Sequence, residues 1–234
     1  MSDRSSATAT EELPARWEER SAQRVLETGR DQLLERSRKI VEAAYELLEE
    51  EGLEGLTIRA VLNKTGLSRR AFYERFEGKD DLVLAVFEET IRMARQLFQQ
   101  QVAELEEPMA RLKLIVTYIV LGRDMQSTGG NSQGGRRGAA LSREHLRLAE
   151  ARPHDLQAAL KPLIELIAEQ LAAGMAVGVV RKDDPQRLAV LVYNLVSTTV
   201  HTELLTKESL QSNQAAKLQL ANDIWEFCRR AIAA

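Results

Sequence analysis

The stretch LTIRAVLNKTGLSRRAFYERF, residues 56–76, has the pattern of two short helices separated by a tight turn. Thr57 and Ser68 are residue types that cap the first turn of a helix. Gly66 between them can adopt positive φ without a steric penalty from Cβ, so it is suited to ending the first helix. The sequence therefore predicts one helix that begins after Thr57 and another that begins after Ser68.

Each of these predicted helices has one apolar side. The first carries Ile58, Val61 and Leu62, and the second carries Phe72 and Phe76 four residues apart. Residues at this spacing lie on the same face of a helix, so both faces should pack against the preceding helix. Two helices joined by a short turn that contains glycine form a helix-turn-helix, whose second helix can enter the major groove of DNA.

The outward side of the second helix is predicted to be basic. Residues 57–79 contain six basic and two acidic side chains, so the segment has a net charge of +4 in a chain whose net charge is −3. Arg69 and Arg70 are candidates for reading base edges, because a guanidinium can donate two hydrogen bonds to guanine. An ordinary solvated helix face is the alternative for these arginines. The full set of predicted DNA-binding residues is Thr57, Arg59, Ser68, Arg69, Arg70, Tyr73 and Lys79.

The composition favours an all-α protein. Only five prolines and thirteen glycines interrupt 234 residues, and apolar side chains recur at helical spacing along most of the chain. We expect an N-terminal arm at 1–31, a three-helix helix-turn-helix domain at 32–79 and a helical domain at 80–234. Within the arm, Gly29 should separate a first helix from the next. The glycine-rich residues 123–142 are predicted to form a long loop.

The order and spacing of residues 57–82 resemble the DNA-binding region of the TetR family of transcriptional regulators. The matching positions are Thr57, Gly66, Leu67, Ser68, Phe72, Tyr73, Phe76 and Lys79. Leu62 and Thr65 depart from the resemblance, since the family usually has alanines there, and Arg70 stands where glycine is frequent. The first two departures suggest altered helix packing, and Arg70 adds a cation to the reading surface.

The resemblance implies a homodimer whose C-terminal helices pair with those of a second subunit. The corresponding segments are 185–205 and 211–232. Their apolar side chains supply the predicted interface, which consists of Leu188, Leu191, Val192, Leu195, Val196, Trp225 and Phe227.

The resemblance further implies a C-terminal domain that encloses a small effector, whose binding releases the protein from its operator. An apolar pocket with a few polar groups is the usual form of such a site. The candidate lining residues are Phe87, Met93, Phe98, Tyr118, Met125, His145, Tyr193 and Asn194. Each of these residue types is also common in ordinary helical cores.

The sequence predicts no catalytic residues, metal site or cofactor. Its three histidines lack metal-ligand spacing, Cys228 has no second cysteine to pair with, and no apolar run approaches the ~20 residues that span a bilayer. We therefore expect a cytoplasmic regulator that binds double-stranded operator DNA, a second copy of itself and a small, largely apolar effector. The alternatives are an activator, or a helical module that binds an acidic protein partner.

Overall fold

The computed structural model describes residues 16–102, 104–121, 144–206 and 214–234, which are almost entirely helical. The all-α prediction is confirmed, since no described residue lies in a β-strand. The predicted tail before residue 15 and the predicted loop at 123–142 lie outside the described residues. In chain order the helices are α1 Arg16–Gly55, α2 Ile58–Thr65, α3 Arg69–Tyr73, α4 Lys79–Val102, α5 Pro108–Leu121, α6 144–151, α7 Pro153–Ala176, α8 Pro185–Thr206 and α9 Gln214–Ile232.

The first helix corrects one sequence prediction. α1 runs through Gly29 without a break, whereas we expected Gly29 to separate two helices. A single glycine costs a helix only about 1 kcal/mol, and the good helix formers on both sides offset that cost. The helix is instead interrupted at Gly52, whose φ of 74° and ψ of −165° lie outside the helical region.

The described residues divide into two compact units, with the boundary between Lys39 and Ile40. The second unit contains two hydrophobic cores. The smaller core lies around the helix-turn-helix and consists of Ile40, Ala43, Ala44, Leu47, Leu48, Leu56, Val61, Phe72, Phe76, Leu82, Val83 and Val86. The larger core joins α4, α5, α6, α7, α8 and α9.

The two cores share α4. Leu82, Val83 and Val86 pack in the smaller core, whereas Phe87 and Phe98 pack in the larger one. Because one continuous helix contributes to both, a displacement of α4 in the larger core reaches the helix-turn-helix. The expected domain boundary at residue 79/80 remains a prediction.

The turn between α7 and α8 is joined to the end of the chain. Val180 forms an antiparallel bridge with Ala233, and the Arg181 amide donates to the Ile232 carbonyl at 2.9 Å. Gly178, with φ 77°, provides the reversal. The Gly174 backbone lies against Val180, whose side chain is buried. This turn holds the C-terminal end of α9 beside the start of α8.

Among the described helices, none combines the length and the apolar character that crossing a membrane requires.

We predict that Gly174→Ala destabilises the fold. A Cβ at this position would lie 2.4 Å from Val180 Cγ2, and valine has little rotamer freedom with which to move away. The expected loss is about 1–3 kcal/mol in the free energy of unfolding, measured by urea denaturation. Gly29→Ala is the control, because a Cβ there meets nothing within 4 Å. Equal stabilities for wild type and Gly174→Ala would contradict the close packing described for this turn.

Candidate nucleic-acid interface and effector site

The helix-turn-helix is closed by the local contacts that its sequence predicts. Thr57 Oγ1 accepts a hydrogen bond from the Ala60 amide at 3.1 Å, and Ser68 Oγ accepts one from the Ala71 amide at 3.2 Å. Gly66 has φ 68° and ψ 11°, and its amide donates to the Leu62 carbonyl. The caps and the left-handed glycine therefore fix where α2 ends and α3 begins.

Tertiary packing holds α3 in place. A helix of five residues is not stable alone, because few backbone hydrogen bonds offset the cost of nucleation. Phe72 is fully buried and Phe76 nearly so, with ring centroids 5.6 Å apart. Tyr73 stacks edge-on against Phe72 at 5.3 Å while half of its own surface stays exposed. The buried phenylalanines therefore determine which residues of α3 face outward.

Three arginines lie on the outward side of α2 and α3. Arg59 and Arg69 are exposed and form no ion pair with any residue that the structure describes. The Arg70 side chain is 90% exposed and its Nε lies 2.9 Å from Glu74 Oε1. Water and salt screen an exposed pair of this kind, so Arg70 can exchange Glu74 for another anion. These side chains form an accessible cationic surface.

Other basic residues of the segment face elsewhere, which corrects the simple charge count. Lys64 Nζ pairs with Glu46 at 2.9 Å and Glu50 at 3.3 Å. The Arg75 side chain is only 4% exposed and donates to the Ala71 carbonyl. Lys64 is exposed but paired with two carboxylates, and the Arg75 side chain is buried, so neither adds an unpaired cation to the surface formed by Arg59, Arg69 and Arg70. The net charge of +4 overstates the positive charge that a partner can contact.

Lys79 also has an internal contact. Its Nζ donates to the Leu53 carbonyl at 3.1 Å, next to the break at Gly52. The ammonium group has three donors, so this bond leaves others for a phosphate. Its predicted role as an anchor on the DNA backbone stays a prediction.

The two departures from the family pattern in α2 are accommodated by the structure. The Thr65 hydroxyl donates to the Val61 carbonyl at 2.8 Å and accepts from the Leu67 amide at 3.4 Å. Leu62 is half-buried and packs against the smaller core. Both side chains therefore support the turn.

Four ring side chains meet in the larger core. His145 of α6 lies with its ring centroid 5.8 Å from Phe87 of α4, 6.1 Å from Tyr193 of α8 and 4.8 Å from His201 of α8. We call these four residues the histidine cluster. It brings together three of the predicted effector residues, from three helices.

His201 is the member that sequence reasoning missed. Tyr193, Ser197 and His201 follow each other at four-residue steps in α8, which is the signal that could have found it. His201 is 8% exposed, and both of its ring nitrogens are buried without a hydrogen-bond partner among the described residues. Burial, together with the charge of His145, lowers the pKa of His201 to about 4. Burial also lowers the pKa of His145 and raises that of Tyr193.

The remaining predicted effector residues are not in the histidine cluster. Phe98 and Tyr118 form a separate edge-to-face pair at 4.7 Å, and Met93 is half-buried on α4. Asn194 is exposed, so the next residue after Tyr193 points away from the core, as the helical repeat requires. Met125 lies outside the described residues. Of the predicted residues that the structure describes, Phe87, His145 and Tyr193 are assembled around one another.

Ion pairs connect the segment that carries His145 with the start of α4. The Arg147 guanidinium lies 2.7 Å from the buried carboxylate of Glu144. It also lies 3.0 Å from the exposed carboxylate of Asp80. Arg152 lies 3.4 Å from Asp81, whose other oxygen accepts from the Glu77 amide at 3.1 Å. Asp80 and Asp81 directly follow Lys79, where the turn after α3 ends. The histidine cluster and the helix-turn-helix are thus linked through neighbouring residues of α6 and α4.

The predicted dimer residues divide between core and surface. Leu188, Val192, Val196 and Trp225 are buried in the chain's own larger core, and Leu195 packs against it. They therefore offer little area to a second subunit. Leu191 and Phe227 are exposed, and Val190 and Leu218 are further exposed apolar residues of α8 and α9 that the sequence prediction did not include.

No group of three or more histidine, cysteine or acidic side chains suited to a metal ion occurs within the described ranges. The buried thiol of Cys228 has its pKa raised to about 11 by burial, so it is a poor nucleophile at neutral pH.

Comparison with known proteins identifies the helix-turn-helix. Residues 40–86 match the family model for bacterial regulatory proteins of the tetR family. The chain is also similar to the HTH-type transcriptional repressor Rv1474c of Mycobacterium tuberculosis. The two are 27% identical over 186 residues, which cover 73% of this chain and 95% of the relative.

Solved structures support the fold over most of the chain. The FadR regulator of Bacillus subtilis in complex with stearoyl-CoA superimposes with a TM-score of 0.63 at 16% identity, covering 82% of this chain and 96% of that one. RolR in complex with resorcinol superimposes with a TM-score of 0.62 at 15% identity, covering 86% and 96%. At these identities the likeness establishes the architecture alone.

We predict that His201 makes the fold sensitive to acid. The unfolded chain takes up a proton on this residue as the pH falls below about 6.5, whereas the folded chain resists protonation down to about pH 4. Stability should therefore be highest above pH 6.5 and fall towards pH 4, by up to about 1.4 kcal/mol per pH unit from this group. His145, whose pKa is lowered in the same direction, adds to the effect.

Urea denaturation at pH 7.5 and 5.5 checks this prediction. His201→Phe should lose less stability on acidification than wild type, whereas His154→Phe, at an exposed position on α7, should behave as wild type. An identical pH dependence for wild type and His201→Phe would contradict the burial of a neutral imidazole.

Proposed function

Because the chain belongs to the TetR family of bacterial transcriptional regulators, we propose that it is a homodimeric repressor which a small, largely apolar effector releases from its operator. The protein would act on the chromosome in the cytoplasm. The observation that carries the proposal is the accessible cationic surface of α2 and α3. Its exposed arginines are held outward by a core that buries Phe72 and Phe76.

The roles proposed at DNA follow from exposure and geometry. Arg69 and Arg70 lie in the first turn of α3, where a recognition helix contacts base edges. Thr57, Ser68, Tyr73 and Lys79 would hold phosphates, which fix register without reading sequence. Arg59 on α2 adds a further cation. Glu74 would release Arg70 when DNA supplies the competing anion.

Dimerisation is supported by exposed apolar side chains on the last two helices. Leu191 is 58% exposed and Phe227 is 64% exposed, with Val190 and Leu218 on the same two helices. A second copy would bury these residues through a two-fold symmetric contact. Two helix-turn-helix units would then meet two half-sites about one turn of DNA apart.

Effector control is supported by the histidine cluster and its link to α4. The fold is shared with proteins whose solved structures are complexes with stearoyl-CoA or resorcinol, so this architecture can bind molecules that carry an acyl chain or an aromatic ring. A ligand against His145 would displace α6, and the Arg147 and Arg152 ion pairs would transmit that displacement to Asp80 and Asp81. Release then requires that the ligand bind the DNA-incompetent arrangement more tightly.

Two alternatives differ in what they predict for DNA. An acidic protein partner could also contact the cationic surface, but it would select no DNA sequence. An activator would bind a defined operator and raise transcription. Selection of bound duplexes from a random pool distinguishes a DNA-binding regulator from a module that binds an acidic protein. A reporter fused to the selected site then distinguishes a repressor from an activator.

We predict that the selection yields a two-fold symmetric site and that Arg69→Ala weakens binding to it. Loss of one base-reading arginine should cost about 1–3 kcal/mol, at least about fivefold in Kd, measured by fluorescence anisotropy. Lys161→Ala is the control, since it removes one exposed cation from α7. No enriched sequence, or equal losses for the two variants, would favour the acidic-partner module.

We predict that Leu191→Asp converts the protein from dimer to monomer. A charge placed at the centre of the apolar surface of α8 would have to be desolvated in the contact. Sedimentation velocity should show half the wild-type mass for this variant. Val177→Asp, at an apolar position of 65% exposure in the α7–α8 turn, should remain dimeric. A wild-type monomer, or a dimeric Leu191→Asp variant, would contradict this interface.

A further inference from the structure

His201 is an unusual core residue because its polar atoms have nothing to bond with. Both ring nitrogens are buried, and neither has a hydrogen-bond partner within the described parts of the chain. Leaving a buried donor or acceptor unsatisfied is costly, and such groups are rare in folded proteins. A leucine or phenylalanine would fill the same place without this cost. The position is therefore suited to a function that uses the imidazole.

The surroundings of His201 define what could bond to it. The ring faces His145 at a centroid distance of 4.8 Å, and Phe87 and Tyr193 flank His145. Each neutral imidazole has one N–H donor and one acceptor nitrogen. A hydroxyl group can donate to the acceptor nitrogen of one ring and accept from the N–H of the other, so its bonding capacity matches a pair of neutral imidazoles.

We propose that His145 and His201 together bind the hydroxyl group of an uncharged aromatic effector, a phenol in chemical class, whose apolar body lies against Phe87 and Tyr193. This inference rests on the proposed effector-responsive function and specifies the ligand of that site. His201 would be the residue that distinguishes a hydroxylated ring from an unsubstituted one.

Other ligand classes fit the cluster less well. A carboxylate would require at least one protonated imidazole among buried aromatic rings, which is unfavourable. A cation would find no carboxylate among the four rings, and Glu144, the residue before His145, already binds Arg147 at 2.7 Å. A metal ion would need a third ligand, and the described residues provide no group of three. A neutral hydroxyl satisfies the histidines without placing charge in the core.

The test compares three naphthalene probes that differ only in the polar group. These are 2-naphthol, 2-methoxynaphthalene and 2-naphthoate, titrated into the full-length protein by calorimetry at pH 7.5. We expect 2-naphthol to bind at least about tenfold more tightly than the ether, equivalent to about 1.4 kcal/mol. We expect 2-naphthoate to bind more weakly than 2-naphthol by a similar factor.

The variant His201→Phe separates recognition from packing. It keeps a ring in the core and removes both nitrogens, so the preference for 2-naphthol over the ether should fall below about threefold. His154→Phe makes the same substitution at an exposed histidine and should keep the wild-type preference. Thermal unfolding verifies that each variant is folded, and His145→Phe replaces His201→Phe if the latter is not.

The outcomes distinguish this inference from the proposed function. Equal affinity of the wild type for 2-naphthol and its ether, tightest binding of 2-naphthoate, or no binding of any probe would overturn the inference. Binding of the wild type to its selected operator is measured in parallel without probe. If one of these probe results is found while operator binding is intact, the proposed ligand class is wrong and the proposed regulator function is retained. If no operator is bound, the proposed function itself fails.

Discussion

The burial of Phe72 and Phe76 is the interaction on which the DNA-binding surface depends. α3 has five residues and cannot persist through its own hydrogen bonds. The two rings pack in one core with apolar residues of α1 and α4, and this packing fixes the rotation of α3 about its axis. Because that rotation is fixed, Arg69 and Arg70 face outward and Tyr73 lies at the rim. A rigid arrangement of this kind reduces the entropy that DNA binding would cost.

Helix α4 connects the DNA-binding surface to the rest of the chain. This helix belongs to both hydrophobic cores, and its first turn carries Asp80 and Asp81. Ion pairs to Arg147 and Arg152 join that turn to the residues around His145. Buried apolar contacts hold α4 in both cores, while the charged contacts act at its first turn. The proposed release from the operator requires a second position of α4 in which both cores are kept.

The sequence was sufficient for the parts of the structure that local chemistry decides. Thr57, Gly66 and Ser68 act within one turn of themselves, so their caps and the left-handed glycine were predictable. The surroundings of Arg75 and Lys64 were not predictable in this way. The Arg75 side chain is buried, and Lys64 pairs with an acidic side chain of another helix, α1. The pairing of His145 with His201 joins residues 56 positions apart, and no short-range pattern reports it. The predicted helix break at Gly29 was wrong because a helix tolerates one glycine when the neighbouring residues favour helix.

Hydrogen–deuterium exchange with and without the selected operator tests the central claim most directly, since it reports on every segment at once. Binding through α3 should slow exchange in peptides that cover residues 57–76 and leave those of α7 unchanged. Unaltered exchange in 57–76, with protection appearing at another surface, would contradict the placement of α3 in the DNA groove.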